Sequence, residues 1–462
     1  MNLSLEGWKI IAASLGLAGP DPAILSVFTS GMGGVLRTSE VVERMGNRYS
    51  RQFVIRRLNA LVGSGLLDRV GGGPQTRYVL DEGRISAAYI EVDHLLRPNK
   101  RFDADLILKY KPRETRILPT NVSEELRRIS GAAIRSGDTI NQIVFRRYMI
   151  DFAWASSRME GNTYSLLSTQ ALLNEGVADP KHTHDETQML RNHAAAIQYL
   201  LDNARDLRIT SSEIRGLHRL LSKELLPNPE DEGRVRRGIV EIGHSAYRPA
   251  SIPQVIEECL DAVASHAREV TDPYEASMLL FVQLSYLQPF MDVNKRTARV
   301  ACNIPLLKAG LCPLSFFGID DQAYIQGLLA YYETHATALL VAVYRDGYRA
   351  AAERYRSYGV RLSDKLKVDG GARRSEVEDL VKKYIRAVAR GDIEPEEKSQ
   401  FLRGAVQGTD PMLRDTVLAD ASHMISTFSE QDAVGLAIPK ALFQRYQDAL
   451  DASREDRAPR GG

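Results

Sequence analysis

The chemical promise of this chain concentrates in Asp292-Val293-Asn294-Lys295-Arg296, with Arg299 three residues further on. The stretch lies between an apolar helical run ending at Leu287 and another helical run beginning near Arg296. A loop feeding a helix presents unpaired backbone N–H groups and the positive end of the helix dipole. Asn294, Lys295, Arg296 and Arg299 add donors and positive charge to that mouth, which suits a polyanion. Asp292 could hold a Mg²⁺ ion bridging two phosphates. A solvated basic helix start has the same short pattern, so the surrounding motifs must decide between the two.

Taken with its flanks, Gln288-Pro289-Phe290-Met291-Asp292-Val293-Asn294-Lys295-Arg296-Thr297-Ala298-Arg299 resembles the signature loop of the Fic (Fido) family, H-x-F-x-D/E-G-N-x-R-x-x-R. The resemblance implies a helical bundle with a β-hairpin flap. It implies ATP, or another nucleoside triphosphate, with Mg²⁺ as cofactors, and transfer of AMP to a protein hydroxyl. Two positions depart from the pattern. Gln288 stands where the family has its catalytic histidine, and glutamine has no titratable group near neutral pH. General base catalysis is typically worth ~10²–10⁴-fold, so transfer is expected to be impaired or atypical. Val293 stands where the family has glycine, and a β-branched residue is strained if the position requires positive φ. Lys295 also occurs in Doc-like kinases of the same fold, but these too rely on the signature histidine.

Further motifs extend the similarity over residues 85–358. Ser156-Ser157-Arg158-Met159-Glu160-Gly161-Asn162 resembles the family's inhibitory motif. By that resemblance Glu160 pairs with Arg299 and occupies the γ-phosphate space, with Ser156 on the same helical face. The stretch from Arg236 to Pro249 resembles the flap. There Val240, Glu241, Ile242 and His244 would register a segment of a target protein by strand addition. His244 is the one histidine placed to replace the missing base, although a solvated hairpin tip explains it as well. His218, on an apolar helical face, reads as a core residue. His182, His184 and Asp185 read as a polar loop before a helix rather than a metal site.

The elements around these motifs divide the chain in three. Residues 20–82 read as helix (Thr38–Met45), turn, helix (from Ser50 to about Gly63) and two strands (Leu66–Val70 and Thr76–Leu80), in an order that resembles a winged helix-turn-helix. Residues 37–78 carry eight arginines against three acids. Arg48, Arg51, Arg56 and Arg57 lie on or beside the second helix and Arg77 beside the wing, where DNA phosphates and base edges would be met. A spacer or dimerisation module is the alternative; a homodimer is expected because DNA-binding winged helices commonly work as dimers. Residues 132–358 read as mostly helical, broken by a β-like stretch near 236–252. Residues 366–462 read as a helical extension without a legible role, ending in a polar Arg-Ala-Pro-Arg-Gly-Gly tail.

These readings make the chain mainly α, and its composition is that of a soluble globular protein. The chain has 462 residues, 44% hydrophobic and 26% charged, with a net charge of +1, which argues against a protein basic throughout. Its three scattered cysteines support neither a disulfide framework nor a zinc site. No run reaches the ~20 apolar residues of a membrane span, and the N-terminus lacks a secretion signal. A cytoplasmic location is therefore expected. Three functions compete: a nucleotide-sensing, DNA-binding regulator, an autoinhibited protein adenylyltransferase, and an interaction scaffold.

Overall fold

The computed structural model describes the chain apart from residues 2, 18, 29–33, 131–138, 205, 407–413, 437 and 456–462. The last of these ranges holds the polar C-terminal tail. The described residues form two compact units, Met1–Gly359 and Val360–Gly462. Most of the structure is helical, and no described helix is long and apolar enough to cross a membrane.

The first unit opens with α1 (Leu5–Ser14), α2 (Asp21–Ser26), β1 (Val35–Arg37), α3 (Thr38–Arg44), α4 (Arg51–Gly63), β2 (Leu67–Val70), β3 (Arg77–Leu80) and α5 (Glu82–Glu91). Ser50 caps α4 by accepting from the Phe53 N–H. The buried Val54, Leu58 and Leu61 then recur at helical spacing. The three strands pair antiparallel in the order β1-β3-β2. Strand β1 and helix α1 are additions to the sequence reading. Trp8 and Ile11 of α1 are fully buried in a cluster reaching from Leu3 to Tyr89.

The remainder of this unit is β4 (Lys100–Arg101), α6 (Asp105–Leu108), α7 (Thr120–Ser130), α8 (Thr139–Arg158), α9 (Leu166–Glu175), α10 (His184–Asp202), α11 (Ser211–Ser222), β5 (Tyr247–Arg248), α12 (Pro253–Glu269), α13 (Pro273–Leu287), α14 (Asn294–Ala301), α15 (Asn303–Lys308), α16 (Asp321–Thr334) and the first turns of α17 (Ala338–Arg390). Every residue from Tyr274 to Leu287 is buried, so α13 is the central rod of the bundle. Its one acid, Glu275, accepts hydrogen bonds at 2.8 Å from Tyr110 Oη and from the N–H groups of Ile117 and Leu118. A buried carboxylate is tolerated when donors surround it in this way.

The second unit contains the last turns of α17, then α18 (Lys398–Ala405), α19 (Arg414–Ser426), α20 (Glu430–Gly435) and α21 (Lys440–Glu455). Val381, Tyr384, Ile385 and Val388 pack there with Leu402, Val417, Phe443 and Tyr446 in a core of their own.

Candidate functional site

Two residues in left-handed conformation frame the loop between α13 and α14. Gln288 ends α13 at φ 50°, and Val293 precedes α14 at φ 63°. The strained valine conditionally expected from the sequence is therefore present, in a region that costs a branched residue roughly 1–2 kcal/mol. Packing over-determines the loop. Phe290 is fully buried and stacks on His218 with ring centroids 3.8 Å apart. His218 Nδ1 accepts from the Gly233 N–H at 2.9 Å, which leaves the ring proton on Nε2, facing the Asp292 carbonyl at 3.2 Å. Burial holds this imidazole down to about 4, so it is a neutral structural residue.

Asn294 has a task the sequence did not suggest. Its Oδ1 accepts from the Phe290 N–H and its Nδ2 donates to the Phe290 carbonyl, both at 2.8 Å. Both polar ends of the amide are thus spent on closing the loop. Gln288 is also tethered, donating from Nε2 to the Ser285 carbonyl at 2.7 Å.

The charged groups gather behind this loop. Arg299 is fully buried and donates from Nε to Ser156 Oγ, from Nη2 to the Ser156 carbonyl and to Glu160 Oε1, and from Nη1 to Tyr324 Oη, at 2.8–3.0 Å. The other Glu160 oxygen lies 3.2 Å from Lys295 Nζ. Burial alone would raise the Glu160 carboxyl. The charges of Arg299, Lys295 and Arg296 outweigh it and hold the group down to about 2.

His193, passed over in the sequence, completes the chain. Arg299 can only donate, so Ser156 Oγ accepts from it and turns its own proton toward His193 Nε2, 2.8 Å away. Its Nδ1 then carries the ring proton, facing the Met189 carbonyl at 3.0 Å. Burial, with the nearby Arg296 charge, lowers this imidazole to about 3. A lone histidine on the buried face of α10, between Leu190 and Ile197, was the available signal.

Arg296 is different. It is nearly buried, its Nη2 reaches only to 3.8 Å from Asp292 Oδ2, and its Nε and Nη1 have no protein partner. No side chain caps the start of α14 either. Buried guanidinium donors without an acceptor are costly, and an anion at this helix start would satisfy them. The residues therefore fit phosphate groups. Asp292 is a single, largely exposed carboxylate, and no cluster of three or more metal-binding side chains occurs among the described residues. That set fits Mg²⁺ only together with phosphate oxygens, as is usual for this ion.

The expected flap hairpin is corrected by the structure. Residues 238–246 form an open loop, with His244 left-handed at φ 58°. Several carbonyls near the two ends of the stretch are used elsewhere. Buried Arg236 donates to the carbonyls of Gln288, Gly238 and Ala250, and the Ala246 and Arg248 carbonyls accept from Lys100 and Phe102 in the parallel β4–β5 ladder. The loop tip is held instead by a buried ion pair. Glu333 Oε1 accepts from Arg97 Nη1 at 2.9 Å, from Ser245 Oγ at 2.8 Å and from the Ala246 N–H at 3.0 Å. Arg97 Nη2 also donates to the His244 carbonyl at 2.7 Å.

A cavity of about 350 Å³ gathers much of the predicted site, and Arg296 lies next to its wall, between lining residue Lys295 and the core, rather than on it. Glu160, Gln288, Asp292, Val293, Asn294 and Lys295 line one side, Val240, Glu241, Ile242 and His244 another, and Leu328 and Tyr332 of α16 also contribute. Ser156 and Arg299 lie buried behind Glu160. The arginines of the N-terminal module belong to separate elements. Arg48, Arg51, Arg56 and Arg77 are exposed, whereas Arg57 turns inward to form a two-point ion pair with buried Asp21. Thr183 and Glu186 form a capping box at α10, which places His182 and His184 in a helix start.

Residues 208–306 match the family model described as Fic/DOC family. A 170-residue stretch is 29% identical to the protein adenylyltransferase fic-1 of Caenorhabditis elegans, covering 35% of this chain and 32% of that protein. A 194-residue stretch is 25% identical to the protein adenylyltransferase Fic of Drosophila willistoni, covering 42% and 39%. The matches thus span between about a third and two fifths of the length of these curated relatives. Among solved structures, a Fic family protein from Desulfovibrio desulfuricans G20 aligns with a TM-score of 0.44 and 19% identity, over 54% of this chain and 77% of that one. A fragment of Fic-1 from C. elegans aligns with a TM-score of 0.44 and 17% identity, over 78% and 100%.

Proposed function

We propose that this chain binds a nucleoside triphosphate, ATP first among them, with its phosphates at the start of α14, and that Glu160 and Gln288 keep nucleotide transfer low. One observation carries the proposal. Arg296 has buried donors without an acceptor beside a cavity in which Glu160 already gives Arg299 a negative partner. Lys295, Arg296 and the free amides of the helix start would hold the phosphates, and Arg299 would join them once Glu160 withdraws. A bound Mg²⁺ would rest on Asp292 and neutralise phosphate charge. Val240, Glu241, Ile242 and His244 would face a protein segment entering the cavity. Transfer of AMP to its hydroxyl, the activity named for the relatives, forms an ester to the α-phosphorus, breaks the α–β phosphoanhydride with release of pyrophosphate, and requires loss of the hydroxyl proton. Gln288 can orient that hydroxyl but cannot take its proton.

Calorimetry with ATP–Mg²⁺ on the full chain and on Glu160→Gly tests the binding. Uptake is expected in both proteins, at least tenfold tighter in the variant, because a charge-assisted contact of roughly 1.5–3 kcal/mol no longer competes. No uptake of any nucleoside triphosphate by either protein would end the proposal.

A second role for the N-terminal module rests on its exposed arginines. Arg37 and Arg77 are register partners across β1 and β3, and Arg48, Arg51 and Arg56 are exposed at or near the start of α4. Like charges opposed on a sheet disfavour the fold, whereas DNA phosphates would offset them. Under this proposal the module is a DNA-binding winged helix. A gel shift with the chain's own upstream region should weaken with salt and in Arg51→Ala or Arg56→Ala.

A further inference from the structure

The groove beside the β4–β5 ladder, about 410 Å³, is separate from the phosphate cavity and is formed by Arg101, Phe102, Ile239, Arg248, Ile252 and Val255. Its chemistry is unusual in two respects. Arg101 and Arg248 are direct register partners on the parallel ladder, both exposed, and neither has an acidic partner among the described residues. Like charges directly opposite one another destabilise a strand pair. The amino end of α12 opens into the same groove with no side-chain cap and no acid in its first turn, which adds to the positive field. Beside these charges Ile239 is 77% exposed and Ile252 56% exposed, a costly display of branched aliphatic surface on one wall.

From this pairing of unopposed arginines with bare isoleucines we infer that the groove docks an extended segment of a partner protein carrying an Asp or Glu next to a bulky aliphatic residue. The carboxylate would lie between Arg101 and Arg248, where charge-assisted hydrogen bonds are strong. The aliphatic side chain would cover Ile239 and Ile252. This gives a chemistry to the protein segment the adjoining 238–246 loop would receive, but it requires no nucleotide. It is tested by binding alone, so it fails separately from the nucleotide proposal.

The experiment is selection of a random peptide library on the full chain, followed by affinity measurement of the selected consensus peptide. The expected consensus holds an acid beside Leu, Ile or Val. Its affinity should fall at least tenfold in the Arg101→Glu/Arg248→Glu double variant and weaken as salt rises. Ile252→Ser separates docking from folding: serine is the better N-cap for α12 and should not destabilise the protein, yet peptide affinity should fall about fivefold. Failure to enrich peptides, a consensus without acids, equal binding by the charge-reversed protein, or preferential capture of nucleic acid at this groove would each overturn the inference.

Discussion

Under the nucleotide proposal two residues decide how the cavity behaves; Glu160 can be titrated, and both it and Gln288 can be exchanged. Glu160 is held down to about 2 by its cationic neighbours against an ordinary carboxyl value of 4.5. Its ion pairs are therefore fully formed above about pH 4.5 and are lost as pH falls toward 2. The ATP affinity ratio of Glu160→Gly to the natural chain should accordingly stay flat from pH 5 to 8 in calorimetry. A ratio falling near pH 6 would assign the block to an imidazole instead. Gln288→His, made in the Glu160→Gly background, should raise labelling by α-labelled ATP about 10²–10⁴-fold, the usual worth of a general base. Undiminished labelling with Gln288 in place would instead show transfer proceeding without that base. Gln288 was placed by its spacing to Arg299 and Glu160 by the separate stretch from Ser156 to Asn162, and both line the one cavity. The staple formed by Asn294 was not legible, since an asparagine at a helix start looks the same whether it faces a ligand or its own loop.

The elements around the cavity are tied together by a few buried charges, and these ties set what can move. Arg97 lies in the connector after α5, with its guanidinium 5.7 Å from the Tyr89 ring, and reaches both Glu333 on α16 and the carbonyl of His244. Arg97→Met should therefore loosen the 238–246 loop. Hydrogen exchange at Ala246, whose N–H donates to Glu333, is expected to accelerate at least tenfold while α13 amides stay protected; unchanged exchange would mean that packing alone fixes the loop. In the N-terminal module, Asp21 is buried against Arg57. Breaking a fully buried pair costs about 3–5 kcal/mol, but Arg57 is about one-third exposed, so Arg57→Ala should cost about 2 kcal/mol in urea unfolding. It is a poor probe of DNA contact for that reason. The helices here were readable from apolar spacing: the helix read from Ser50 begins one residue later, with Ser50 as its cap, and α13 ends at Leu287 as expected. The hairpin failed because strand-like alternation in 236–252 says nothing about which backbone groups a distant arginine or strand will claim.

At the scale of the whole molecule the two units have separate apolar cores. Calorimetric unfolding should therefore show more than one transition. ATP–Mg²⁺ added at about 100 times its dissociation constant to Glu160→Gly should stabilise the Met1–Gly359 unit by roughly 2.7 kcal/mol and leave the other transition in place. A uniform shift of all transitions would show the cores to be energetically linked. The second unit's core was foreseeable from the stripe Val377 to Val388, whereas its purpose has no motif to announce it. The tether through Arg236 has a practical consequence. One guanidinium fastens residues 238 and 250 to the corner at Gln288, so the ends of the intervening segment stay fixed whatever lies between them. Within it, residues 239–243 lie outside the Arg97, Glu333 and β4 contacts, so those positions form an exchangeable cartridge whose sequence could be varied in a library while the scaffold beneath keeps its shape.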